Sequence, residues 1–255
     1  MASESPSSGL ASSFTDLMTS LAVIFILLLV AITQNTVMSS AARNKKTQNT
    51  RENILEELQK QLSETGVQVE KDPKDPLSLL IVVPEQLMQF KRDKSDLSQD
   101  GQNFLGQFIP RLADVACRQS FRNELNSIVV EGYTDSSAKN PEHGDIYNLD
   151  LSQHRSMQVV ESSLKLLNSG ANGQRTSYSC FLNLLSASGR GSSELIRKTN
   201  GEEDPDKSRR VIFKIRVRSF EQREVQTSEA ALSGLRLPGS HGLSGDSYGN
   251  QPSKH

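Results

Sequence analysis

Two cysteines in 255 residues are too few for a disulfide scaffold, and their spacing is not the C-x-x-C of a zinc or redox site. One bond between them stays open if the compartment oxidises. Neither sign of charge is in excess: 29 Lys and Arg stand against 30 Asp and Glu, a net charge of −1. The positive field that draws nucleic-acid binders to phosphate is missing, so no DNA or RNA partner is expected. Apolar residues are few, at 35%, and fall short of the usual ~45 to 50% even with glycine added. The core is modest. A mean hydropathy of −0.48 excludes a polytopic membrane protein but leaves room for a single span. Catalytic signatures are thin as well. His143, His154, His241 and His255 form no H-E-x-x-H, no serine stands in G-x-S-x-G, and Gly189-Arg190-Gly191 lacks the third glycine of a dinucleotide loop. The chain does not read as an enzyme, and it calls for no metal or cofactor.

What is there begins with one apolar run. Every residue from Leu21 to Ile32 is apolar, and the run reaches back through Leu17, Met18 and Phe14 to Leu10 and Ala11. Taken as residues 10–33, after a short N-terminal segment 1–9, it is long enough at ~1.5 Å per residue to cross the ~30 Å hydrocarbon core. A signal peptide is the rival reading. It has small residues to offer at Ser40, Ala41 and Ala42, but no Lys or Arg precedes the run to make a basic n-region.

Asp16 lies inside this span. A carboxylate in a membrane helix costs ~2.5 to 3.5 kcal/mol on insertion scales, which makes it a functional candidate. The alternative is a helix that starts at Leu17, with Asp16 as its N-cap among the headgroups. Thr19 and Ser20, one turn further in, suit a face packed on other helices and favour the first reading. Arg43, Lys45, Lys46 and Arg51 follow the span, so the distribution of charge by itself votes for a cytoplasmic C-terminal part.

Residues 34–76 read as a helical stalk. Ile54, Leu55, Leu58 and Leu62 keep helical spacing, Glu56 precedes Lys60 by one turn, and Pro73 and Pro76 are expected to stop the helix. The seam can zip two copies together, plug a partner's pore, or be a merely solvated helix with one sticky face.

From 77 to 220 strands and helices alternate. Leu77 to Val83 suits a buried strand, and Ile128, Val129 and Val130 build a second. Between them Phe104, Phe108, Leu112 and Val115 mark a helix face interrupted by Pro110. Met157, Val160, Leu164 and Leu167 mark another. Val211, Phe213, Ile215 and Val217 alternate with Arg210, Lys214, Arg216 and Arg218, a strand with one buried face and one cationic face that reads as solvated sheet surface. The expected class is α+β, a βαβαβ sandwich with helices packed on a mixed sheet. The residues after 220, dominated from about Gly234 by Gly, Ser and Pro, are expected to be a disordered tail, 221–255.

One cluster carries chemistry: Glu131-Gly132-Tyr133-Thr134-Asp135, then Tyr147-Asn148, then Leu151-Ser152-Gln153-His154-Arg155. Gly132 permits a sharp turn, and Ser152 is a natural N-cap that would place Arg155 in a first helical turn. Asp135 and Arg155 then face one pocket, where they can clasp a zwitterion or simply form a structural salt bridge.

These elements resemble the OmpA-like peptidoglycan-binding domain over roughly residues 77–220, and Ser208-Arg209-Arg210-Val211 is similar to that family's closing Arg-Arg-Val strand. The resemblance implies that Asp135 and Arg155 hold the diaminopimelate of the cell wall, with Thr134 and Asn148 in the same site. The long loop between Asp135 and Asn148 resembles the flagellar stator family MotB, and so does Phe14-Thr15-Asp16-Leu17-Met18-Thr19, similar to the MotB membrane signature, whose acid carries protons. Three departures stand: Ser156 replaces the usual Ala, the segment around Cys117 is longer, and the basic leader of MotB is not seen. The last points toward the related ZorB subunits of the Zorya antiphage motor.

What this implies is a peptidoglycan-anchored, proton-driven motor subunit in the inner membrane. Its N-terminus would be cytoplasmic and its C-terminal domain periplasmic, against the vote of the charges. It would work as a homodimer inside a ring of polytopic A-type subunits of the MotA or ZorA kind. A flagellar stator or a passive wall tether are the alternatives. In the periplasm Cys117 and Cys180 meet an oxidising environment and are expected to bond, the alternative being two separate buried thiols.

Overall fold

A computed structural model describes residues 7–90, 94–137, 144–169, 172–219, 221–223 and 225. The apolar run and the amphipathic seam after it belong to one helix, α1 (Ser7–Leu62), 56 residues long. Its stretch Asp16–Asn35 is long and apolar enough to cross a membrane, with a mean hydropathy of 2.4. Leu17, Leu21, Phe25 and Ile32 on it are exposed.

The seam behaves differently from every expectation placed on it. Ile54, Leu58 and Leu62 are each 1% exposed and sit in the same core as the sheet and the second helix. They neither zip two copies nor lie in solvent; burial of each contributes about 1.5 to 3 kcal/mol to the fold of their own chain. Nor does the helix reach Pro73 and Pro76. It stops at Leu62, and a turn of 3-10 helix (Ser63–Thr65) leads into β1 (Gln68–Lys71), a short and largely exposed strand within the expected stalk.

The expected α+β architecture is the observed one. Five strands, β1, β2 (Ser78–Pro84), β3 (Leu125–Tyr133), β4 (Leu185–Gly191) and β5 (Arg210–Val217), form one sheet in the order β1-β2-β5-β3-β4. β3 and β4 are parallel and the other pairs antiparallel. β5 is central, so Phe213 stands between Ile81 of β2 and Val130 of β3, all fully buried. Its cationic face is neutralised rather than merely solvated: Lys214 bonds Asp72 at 2.6 Å, Arg216 lies 3.5 Å from Asp75, and Arg210 stacks 4.0 Å over the Tyr133 ring.

Helix α2 (Gln99–Ala116) starts where the Ser98 hydroxyl accepts the Gly101 N–H at 3.2 Å. Pro110 does not interrupt it. The helix runs on through the proline, held by Phe108 against Phe213 with ring centroids 5.0 Å apart. Helices α3 (Gly144–Ser169) and α4 (Asn172–Leu184) follow, with α3 laid along β3 and β4. Of the expected apolar positions on α3, Val160 and Leu167 are buried and Leu164 packs on the core, but Met157 is 46% exposed, and the buried face is shared with Ser152, Ser156, Val159 and Ser163. Small side chains there bring the helix close to the sheet, and a β-carbon on Gly189 would lie 2.6 Å from the Gln153 nitrogen. A last short helix, α5 (Pro205–Ser208), capped by Asp204, precedes β5.

Residues 1–6 of the expected N-terminal segment lie outside the described residues. So does most of the expected tail 221–255, of which 221–223 and 225 are helical.

Candidate functional site

The chain leaves β3 at Tyr133, and the Thr134 amide still bonds the Gly191 carbonyl of β4 at 2.9 Å. This anchors the next residue, Asp135, which is 8% exposed. One of its carboxylate oxygens accepts from the Ser137 hydroxyl at 2.5 Å and the Ser137 amide at 3.2 Å. The other accepts from Arg209 Nη1 at 2.6 Å. Asn148, fully buried on α3, donates its amide to the Asp135 main-chain oxygen at 3.2 Å and so fixes the backbone on which the carboxylate stands. The Thr134 hydroxyl is buried without a hydrogen-bond partner among the described residues. Such an orphan costs about 1 to 3 kcal/mol and calls for a completing group.

Arg155 lies on the inner face of α3, 9% exposed. Its Nε donates to the Lys94 main-chain oxygen at 3.2 Å, and the guanidinium stands 4.9 Å from the centroid of the Phe90 ring. Neither Nη makes a hydrogen bond or ion pair among the described residues. Burial pulls the Arg155 pKa below its ordinary value, opposed by the negative charges of Glu85 and Asp135; an arginine remains charged under such a shift.

Asp135 and Arg155 feel each other's charge but make no direct salt bridge; the direct partner of Asp135 is Arg209. Sequence reasoning missed this pairing. Arg209 stands 74 residues beyond Asp135, and its place in the Arg-Arg-Val strand was the only signal it gave. Glu85, Phe90, Arg155 and Arg209 line a narrow cleft of about 10 Å³, room for roughly one water. A wider hollow of about 390 Å³ opens beside Lys94, bounded by Asp96, Tyr147, Leu151 and His154. Ser152 is not an N-cap. α3 begins well before it, at Gly144, and the Ser152 hydroxyl accepts the Gly191 amide at 2.9 Å, which ties helix to strand instead.

Asp16 lies well inside α1, which already runs from Ser7, and the Thr19 hydroxyl donates to its main-chain oxygen at 2.9 Å. The capping alternative does not fit that position, because an N-cap stands at the helix start. Cys117, the C-cap of α2, is bonded to Cys180 with Cα atoms 5.9 Å apart. Cys180 lies within α4, so the bridge joins two helices rather than an extended segment to the sheet.

No protein-family model matches the chain, and no curated protein matches it. Solved structures similar to it include a MotB-like protein from Desulfovibrio vulgaris, at 17% identity over 69% of this chain and 96% of that one, with a TM-score of 0.48. The periplasmic domain of Helicobacter pylori MotB is similar at 18% identity, over 68% and 91% of the two chains, with a TM-score of 0.42. An OmpA-like domain from Francisella tularensis is similar at 19% identity, over 60% and 81%, with a TM-score of 0.36.

Proposed function

We propose that this chain is a peptidoglycan-anchored B-type subunit of an ion-driven membrane motor. The observation that carries the wall-binding part is Arg155, a residue 9% exposed whose two Nη groups have no partner among the described residues and stay accessible, in one cluster with the Asp135 carboxylate. A planar fork of open donors beside an acid suits a ligand that bears a carboxylate next to an ammonium, the chemistry of diaminopimelate. Asp16 supports the motor part. It is an acid within the helix that carries the apolar stretch, and cycling its charge through a membrane potential is worth ~2.3 kcal/mol per 100 mV.

In this reading the N-terminus is cytoplasmic and the domain periplasmic, a placement supported by the Cys117–Cys180 bond, since disulfides persist in oxidising compartments. Two copies work inside a ring of polytopic A-type subunits, Asp16 carries protons, and the wall clasp holds the subunit still while the ring turns. Among such motors the sequence resemblance favours the Zorya defence type. The test is sedimentation of the full chain, purified in detergent, with isolated sacculi. Asp135→Ala and Arg155→Ala are expected to stay in the supernatant with unchanged circular dichroism; if both still pellet with the sacculi, the wall site is elsewhere.

A further inference from the structure

Arg209 places each of its three nitrogens on a different carboxylate: Nε on Glu85, Nη1 on Asp135 at 2.6 Å and Nη2 on Asp206 at 2.6 Å. Both nearby acids of the wall site are thereby occupied. Arg155 shares a cleft with Glu85 and Arg209, yet its Nη groups meet no carboxylate among the described residues. A guanidinium that shares a cleft with an acid pairs with it unless the acid is held more firmly elsewhere. Glu85 exerts the strongest attraction on Arg155, ahead of Asp135. Burial works against the charge of Arg209 too, but Glu85 and Asp135 outweigh it and hold its pKa above the ordinary value, so the three groups are firmly bound together.

We propose that Arg209 is a positioning residue of the wall-binding site: by holding Glu85 and Asp135 it keeps both acids off Arg155, whose Nη groups thus stay open for the carboxylate of the ligand. This rests on the reading of Asp135 and Arg155 as the wall clasp. Without Arg209, Glu85 swings onto Arg155 and closes the site from inside. Arg209 thus acts through Arg155, and Glu85 is the competitor it restrains.

The test measures binding of the full chain in detergent to isolated sacculi for the wild type, Arg209→Ala, and Arg209→Ala combined with Glu85→Gln. The single variant is expected to lose about tenfold in affinity, the size of effect that follows from filling a charged contact. The double variant is expected to regain most of it, because a neutral amide in place of the Glu85 carboxylate no longer competes. A merely structural role for Arg209 predicts no recovery, since its ion pair with Glu85 is already gone in the single variant. If Arg209→Ala does not fold, Arg209→Lys with and without Glu85→Gln makes the same comparison. Wild-type affinity in the single variant, or a double variant no better than the single one, overturns the proposal. Failure of the wild type to bind sacculi at all overturns the wall-binding reading, and this one with it.

Discussion

Gly132 lies directly beneath Ser152: a β-carbon at position 132 would sit 2.4 Å from the Ser152 main-chain oxygen. That oxygen belongs to helix backbone and cannot move aside as a flexible side chain would, so the whole of α3 must shift to admit even a methyl group. Gly132→Ala is expected to lower stability by about 2 kcal/mol or more. Gly106 on α2 is the control, because nothing lies within 4 Å of the corresponding position there. Gly106→Ala should raise stability by about 0.5 to 1 kcal/mol. Denaturant midpoints of the two variants check both signs, and equal midpoints would show that α3 is not packed as described.

Asp16→Asn keeps the size and polarity of the side chain but removes its titratable proton. In cells the variant is expected to reach the membrane at wild-type levels and to lose motor output entirely. Membrane fractionation together with an assay of defence or motility checks this. Near-normal output would remove Asp16 from ion transport.

The Cys117–Cys180 bond closes a loop with a sequence separation of 63 residues, for which the chain-entropy model gives about 4 kcal/mol. Cys117→Ala with Cys180→Ala should lower stability by an amount of that order. The unreduced wild-type protein should show no alkylatable thiol by mass spectrometry after denaturation. Two free thiols in that spectrum would also remove one support for the periplasmic placement.

Acid should act on the domain partly through Asp72. Burial alone would push its carboxyl up, but the Lys214 ammonium at 2.6 Å and the Lys74 amide hold it below its ordinary value of 3.8. A carboxyl depressed in the folded state adds stability above its unfolded pKa and loses that contribution as pH falls through the folded value. Asp72→Asn is therefore expected to cost about 1 to 2 kcal/mol near neutral pH, and the gap to the wild type should narrow progressively as the pH falls below the ordinary value of 3.8. A gap of constant size across that range would mean that Asp72 contributes packing and not charge.

How far the fold was legible depended on whether burial and polarity agree. β2 and β5 were readable because Leu79, Ile81 and Val83, and Val211, Phe213 and Ile215, are both apolar and buried. On α3 the apolar pattern located Val160 and Leu167 but not the rest of the buried face, because Ser152, Ser156 and Ser163 are polar by type and buried by position, chosen for smallness where helix and sheet nearly touch. β1 was missed for a different reason: it is four residues long, and only Val69, with Val67 just before it, turns toward the core, while Gln68, Glu70 and Lys71 are exposed. At the site, Asp135 and Arg155 could be picked out because each sits in a local motif. Arg209 and Glu85 could not, because they arrive from the start of β5 and the end of β2, and only the sheet order brings them together.

α1 has no break between Asn35, where the apolar stretch ends, and Ile54, where it enters the core of the domain. Those residues as unbroken helix measure about 30 Å. If the chain is fixed at one end in the bilayer and at the other to the wall, as proposed, this helix would be a gauge: it would set the gap between the two and pass twist from one to the other without slack. Lengthening the gap means melting helix or drawing Ile54, Leu58 and Leu62 out of the core. Inserting or deleting whole turns between Asn35 and Ile54 would resize the gap and keep the angular registration, whereas two extra residues would rotate the domain by more than half a turn relative to the membrane.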